Sequence, residues 1–193
     1  QRPDGRDIFQ EMQAQGYRVA RSWEKAGALP PGKTLAVTAP GNLPPPSKRG
    51  DVFRQAALKA LDTLSRNPDG FFLMIEGSNI DKAAHSNNLE EMMEELLDFD
   101  RTAGAVLDWA SKHPGTLVVI TADHNTGAFA LTGGSREQGE ITGRFGSGSH
   151  DGVAVPVYAF GAGSGDFTGI YENTDIFNKI MNALKKGADK PVR

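Results

Sequence analysis

Three short stretches of this 193-residue chain set carboxylates beside imidazoles: Glu76 with Asp81 and His85, Asp123 with His124, and His150 a little further on. Asp81 and His85 stand four residues apart. On a helix, which Ala83 and Ala84 favour, that spacing puts both side chains on one face, one turn apart. Two hard oxygen donors and an imidazole are the mixture that zinc and magnesium accept. With no cysteine in the chain, any metal must be held by nitrogen and oxygen. A lone histidine is more often satisfied by an ordinary hydrogen bond than by a ligand. Several carboxylates gathered beside imidazoles are costly unless something neutralises them, so their joint occurrence points to bound cations. His113, in the run Ser111-Lys112-His113-Pro114-Gly115, reads instead as a structural residue at a helix C-terminus. Lys82 reads either as a solvated charge or as a contact to an anionic substrate. Asp98, Asp100 and Asp151 read as surface or helix-end charges.

The elements around these residues place them at strand ends. Residues 71–75 are a continuous apolar run that reads as a buried strand delivering Glu76. Residues 116–122 form a second such strand, delivering Asp123 and His124. Between them, Asn88 reads as the N-cap of a long helix ending near His113, with Met92, Met93, Leu96 and Leu97 as its core stripe. Strand, helix and strand with polar residues at the strand ends is the layout of an open α/β sheet. The expected fold is therefore α/β, a mostly parallel central sheet flanked by helices. Upstream, short helices over 7–15 and after Ser22, strands over 17–20 and 34–39, and an amphipathic helix over 52–64 are expected. A Pro-rich loop over 40–50 should contain neither helix nor central strand. Downstream, residues 132–149 are a Gly-rich hairpin or mobile loop and 153–160 an edge strand holding Pro156. A helix capped by Thr174 closes the chain, with a frayed tail from Lys185. The two tryptophans, Trp23 and Trp109, are assigned to the core.

The bulk properties narrow the classes. Length suits one α/β domain or a partial one over residues 1–193. A formal net charge of −3, with charges interspersed, gives no footprint for nucleic acid. No apolar run nears the roughly 20 residues of a membrane-spanning helix. Gln1 suggests a mature form or a fragment, and no signal segment is visible.

Residues 76–85 (EGSNIDKAAH), 121–127 (TADHNTG) and 149–158 (SHDGVAVPVY) resemble, in order and separation, the three metal-binding signatures of bacterial alkaline phosphatases. The resemblance runs from about Asp7 to Leu184 and includes the segment around Tyr171–Thr174. It implies an alkaline-phosphatase-like fold of which this is the C-terminal portion. The activity it implies is hydrolysis of phosphate monoesters through a phosphoserine intermediate, with two zincs and one magnesium. By the same resemblance Asp81, His85 and His150 hold the first zinc, Asp123 and His124 the second, and Glu76 the magnesium, while Lys82 contacts phosphate through water. Nothing here matches the N-terminal half that carries the family's nucleophilic serine, bridging aspartate and phosphate-clamping arginine. Ser78 and Ser149 lie inside ligand motifs and do not replace the nucleophile.

The expected partners are thus phosphate monoesters, the missing N-terminal half and a second copy in a homodimer, with no nucleic acid and no membrane. A periplasmic or secreted location follows from resemblance alone. Only Asp81, His85 and His150 supply the three protein ligands usual at a catalytic zinc, so the chain alone should bind one zinc well, a second weakly, and turn over little ester. A related phosphodiesterase or sulfatase, and a metal-binding module without catalysis, stand as alternatives.

Overall fold

The computed structural model describes residues 3–188, which fall into two compact units divided between Ile75 and Glu76.

In the first unit, Asp7 accepts hydrogen bonds from the Phe9 and Gln10 amides and so starts α1, Ile8–Ala14, as an aspartate N-cap does. Strand β1, Arg18–Ala20, pairs in parallel with β2, Thr34–Ala36, in the register Arg18 to Thr34 and Ala20 to Ala36. Between them lies α2, Trp23–Ala28, capped by Ser22. Helix α3, Pro46–Arg49, interrupts the stretch expected to be loop over 40–50. Pro46 is its first residue, where a missing N–H costs no hydrogen bond and a fixed φ is already helical. Helix α4, Val52–Leu64, buries Ala57 and Leu61, which with Ala20 and Ala26 make the small core of this unit. Trp23, half-buried, donates from Nε1 to Gln55 Oε1 at 3.1 Å. Lys59 Nζ reaches the carbonyls of Gly27 and Leu29 at 2.9 and 2.7 Å, satisfying the C-terminal end of α2.

The expected strand over 71–75 enters no ladder among the described residues. Its side chains alternate, with Phe71, Leu73 and Ile75 half-buried but Phe72 and Met74 at 62% and 75% exposure. The burial on both faces that an all-apolar run implies is not there.

In the second unit, α5, Asn79–His85, and α6, Leu89–Ser111, pack through Ala83, Ala84 and Met92, with Ile80, Leu89, Phe129 and Phe145 around them. Asn88 caps α6 by accepting from the Glu91 amide at 3.1 Å. The buried face of α6 differs from the expected stripe. Leu96 and Leu97 are 42% and 50% exposed, while Glu95, Asp98 and Thr102 are buried. Asp98 is thus an interior residue rather than a surface charge, met by Arg101 Nη2 at 3.4 Å, and Glu95 accepts from Asn79 Nδ2 at 3.2 Å.

Strand β3, Leu117–Thr121, continues into β4, Asn125–Thr126, and then into a hairpin of β5, Ala130–Ser135, and β6, Glu140–Arg144. Strand β7, His150–Asp151, returns antiparallel to β4, and β8, Val157–Gly161, returns antiparallel to β3, with Leu117 opposite Gly161 and Thr121 opposite Val157. The mostly parallel sheet expected from the strand–helix–strand pattern is not what these strands form. Parallel neighbours need a crossover, usually helical, whereas hairpins alone connect β3 to β8. The expected strand over 153–160 begins only at Val157, after Pro156, which lacks the amide a ladder requires. A 3-10 turn, Ser164–Phe167, precedes α7, Asp175–Ala188, which follows Thr174. The expected frayed tail from Lys185 is helical as far as Ala188, and its remainder lies outside the described residues.

Candidate metal centre

Helix α5 makes the first half of the site. Ala83 and Ala84, at 1% and 3% exposure, anchor one face on α6, which turns Asp81 and His85 to the other. There His85 Nε2 lies 3.4 Å from Asp81 Oδ2. Gly77, ahead of the helix, has no room for a side chain, since a Cβ there would stand 2.7 Å from the Phe99 ring.

The β4–β7 pair makes the second half. Thr126 lies opposite His150 and Asn125 opposite Asp151. The Gly127 amide donates to Ser149 O at 3.0 Å, and Gly127 O accepts from the Gly146 and Ser147 amides. Gly127 has φ +80, and a Cβ would meet Phe145 at 2.8 Å and the Ala84 carbonyl at 3.1 Å, so only glycine lets the two halves approach this closely. The His124 and His150 rings stack with centroids 3.6 Å apart.

The two halves converge at their ligand atoms. His85 Nε2 lies 3.0 Å from His150 Nε2, and His150 Nε2 lies 3.5 Å from Asp81 Oδ1. Ligand atoms about 2.0–2.1 Å from a tetrahedral zinc are separated by about 3.3 Å; the observed 3.0, 3.4 and 3.5 Å edges fit that figure. A second grouping takes one atom each from Asp81, His124 and His150, all within 4.8 Å of one another. Asp81 and His150 belong to both. His124 Nε2 also lies 3.3 Å from Asp123 Oδ2, and the Asp123 side chain, 87% exposed, is open to an ion from outside.

Hydrogen bonds fix which ring nitrogen is available. His85 Nδ1 lies 2.7 Å from Gly148 O; a carbonyl only accepts, so Nδ1 carries the proton and a neutral His85 keeps a lone pair on Nε2. That is the arrangement of metal-ligating histidines, whose other nitrogen donates to a carbonyl or carboxylate. The donor set therefore fits a divalent cation.

Glu76 is exposed and does not join the converging groups, and Lys82 Nζ lies on α5, 3.4 Å from Asn79 Oδ1. His113 accords with its structural reading: it stacks on Trp109 at 3.7 Å and donates from Nδ1 to Trp109 O.

Thr126 and Asp151 were not singled out from sequence as parts of the site. Thr126 Oγ1 bonds Asp81 Oδ1 at 2.6 Å and His124 Nδ1 at 3.2 Å. Asp151, read as a surface or helix-end charge, is half-buried and accepts from Asn125 Nδ2 and from the Ala128 and Val153 amides. The available signal for Thr126 was its position two residues past His124, on the same side of any strand.

The family model for alkaline phosphatase matches residues 1–145. The chain belongs to the alkaline phosphatase family. It is 31% identical to streptomycin-6-phosphate phosphatase of Streptomyces griseus, over 93% of this chain and 51% of that protein. To the alkaline phosphatase of Escherichia coli K12 it is 26% identical, over 93% of this chain and 48% of that one. The solved alkaline phosphatase of the Antarctic bacterium TAB5 superposes with a TM-score of 0.82 at 33% identity, covering 95% of this chain and 56% of that chain. A mutant of the TAB5 enzyme, solved with magnesium in its M3 site, superposes at 0.81, with 32% identity over 95% of this chain and 57% of that one. This member of the alkaline phosphatase family thus spans about half the length of the curated relatives it matches.

Proposed function

We propose that this chain supplies the metal-holding part of a phosphate monoester hydrolase. In this reading Asp81, His85 and His150 hold one zinc, Asp123 and His124 a second, and Glu76 a magnesium, with Lys82 beside the phosphate. The observation that carries it is the meeting of the His85 and His150 Nε2 atoms at 3.0 Å, both within 3.5 Å of the Asp81 carboxylate. Bound divalent cations would polarise phosphoryl oxygens and offset the charge of a transferring phosphoryl group. The chain's own residues prepare for this. Gly148 O holds His85 with its Nε2 lone pair inward, the β4–β7 pair sets His150 against His124, and Asp81 lies within reach of three imidazoles.

The nucleophilic serine is assigned to polypeptide outside these 193 residues, since the chain spans half of its relatives. Ser149 is no substitute: its amide and carbonyl bond Ser147 Oγ and the carbonyl also accepts from the Gly127 amide, so its role is in the loop backbone. Exposed Tyr158 and Phe160 on β8 offer apolar surface to such polypeptide. A periplasmic or secreted enzyme, working as a homodimer, is the setting the family suggests, and no helix among the described residues is long and apolar enough to cross a membrane. A related phosphodiesterase or sulfatase would use the same donors and differ at the nucleophile.

Isothermal titration of the 193-residue chain with zinc, alongside an assay with p-nitrophenyl phosphate, tests the reading. One tight zinc, a second weaker one and negligible turnover are expected. No zinc binding, or robust hydrolysis by this chain alone, would overturn it.

A further inference from the structure

Thr126 touches both halves of the metal centre, and its hydroxyl has one proton to give. Its Oγ1 lies 2.6 Å from Asp81 Oδ1, the length of a hydroxyl donating to a carboxylate. An ionised carboxylate only accepts, so the proton is committed there. Toward His124, 3.2 Å away at Nδ1, the same oxygen has only lone pairs left. His124 Nδ1 must then carry the proton, and a neutral His124 keeps its lone pair on Nε2, the nitrogen that lies 3.3 Å from Asp123 Oδ2. Thr126 is 8% exposed, so water competes little for either bond. Strand pairing holds it in place, because Thr126 is the β4 residue opposite His150.

We propose that Thr126 is a positioning residue that orients Asp81 for one cation and sets the His124 tautomer for the other, so that a single hydroxyl supports both sites. The proposal rests on the metal-centre reading for its consequence, but the tautomer itself is a property of the metal-free chain. Losing such an outer partner typically lowers metal affinity by about 10–100-fold. A residue holding only one ligand would affect one site; Thr126 bonds a ligand of each.

The test compares wild type, T126V and T126S. Valine keeps the shape and removes the hydroxyl, while serine keeps the hydroxyl. Imidazole nitrogen NMR on the metal-free chain at mildly alkaline pH reads the His124 tautomer, and zinc calorimetry reads both sites. In wild type and T126S, His124 is expected as the Nδ1–H form. In T126V that preference is lost, the tighter zinc weakens about 10–100-fold and the weaker one drops out of the titration, while T126S binds as wild type. An Nδ1–H His124 in T126V with both zinc affinities intact overturns the proposal. Should T126V not fold, the wild-type spectrum decides, because an Nε2–H His124 there contradicts the assignment. A wild type that binds no zinc but shows the tautomer change in T126V would instead sink the metal-centre reading and leave the role of Thr126 standing.

Discussion

His85 and His150, 65 residues apart in the chain, face each other Nε2 to Nε2 at 3.0 Å. Because His85 Nδ1–H donates to Gly148 O, the His85 Nε2 offers a lone pair to this gap. The gap is closed either by a proton from His150 or by a cation that both rings ligate. His150→Ala removes one partner and leaves His85 and Asp81 as a two-ligand remnant. Zinc affinity at this site is expected to fall by at least about 100-fold, beyond the usual effect of an outer-sphere change. Calorimetry showing unchanged stoichiometry and affinity would remove His150 from the ligand set.

Zinc should also stabilise the fold, since its proposed ligands come from α5, β7 and the segment after β3 and assemble only in the native state. At a free zinc concentration about a hundred times Kd, the gain is about 2.7 kcal/mol. A thermal melt with and without chelator checks this. A Tm that ignores zinc would mean the donors do not bind it together.

Asp151 ties together the loops that carry His124 and His150, accepting from Asn125 Nδ2 and the Ala128 and Val153 amides. One of those amides belongs to Ala128, whose φ of +45 is an unfavourable conformation for a residue with a Cβ. Asp151→Ala is expected to cost about 2 kcal/mol, in the range for hydrogen bonds to a charged acceptor, and to weaken zinc binding as well. Urea denaturation measures the first effect and calorimetry the second; a variant as stable as wild type contradicts the assignment.

Gly127→Ala should be worse than its size suggests. The left-handed φ of +80 and the close Phe145 and Ala84 neighbours together predict a loss of about 2 kcal/mol or more. Denaturation curves overlapping those of wild type would show that the loop rearranges freely.

The α6 cap is a milder case. Asn88 accepts from the Glu91 amide at the start of α6, and Asn88→Ala is expected to cost about 1 kcal/mol without altering zinc affinity. A change in zinc affinity comparable to that of His150→Ala would mean that the α5–α6 turn tunes the site directly.

Local regularities explain what could be read before any coordinates. Asp81 and His85 face the same way because a helix repeats every 3.6 residues. Asn88, Asp7 and Ser22 cap helices because their side chains can reach the free amides of the next turn. The convergence of His124 and His150 was expected from loops that a parallel sheet would bring together; the two histidines do meet, but through the antiparallel pairing of β4 with β7. Non-local pairing is where the reading failed. Residues 71–75 have strand composition, but composition does not supply a partner. The apolar stripe on α6 misplaced Leu96 and Leu97 because hydrophobicity cannot say which face a neighbour will cover, and the buried face went to Glu95, Asp98 and Thr102.

What the amino-acid sequence determined alone is the donor set, nitrogen and oxygen without sulfur, and the helical spacing that pairs Asp81 with His85. Tertiary structure decided the rest: the antiparallel return of β7 onto β4 that brings Thr126 opposite His150, the carbonyl of Gly148 that orients His85, and the hydroxyl that bridges Asp81 to His124. The physical reason is range. Helix spacing and capping are settled within one or two turns of chain, whereas a hydrogen bond between residues 45 apart in sequence, such as Thr126 to Asp81, exists only once the intervening helices and strands have packed.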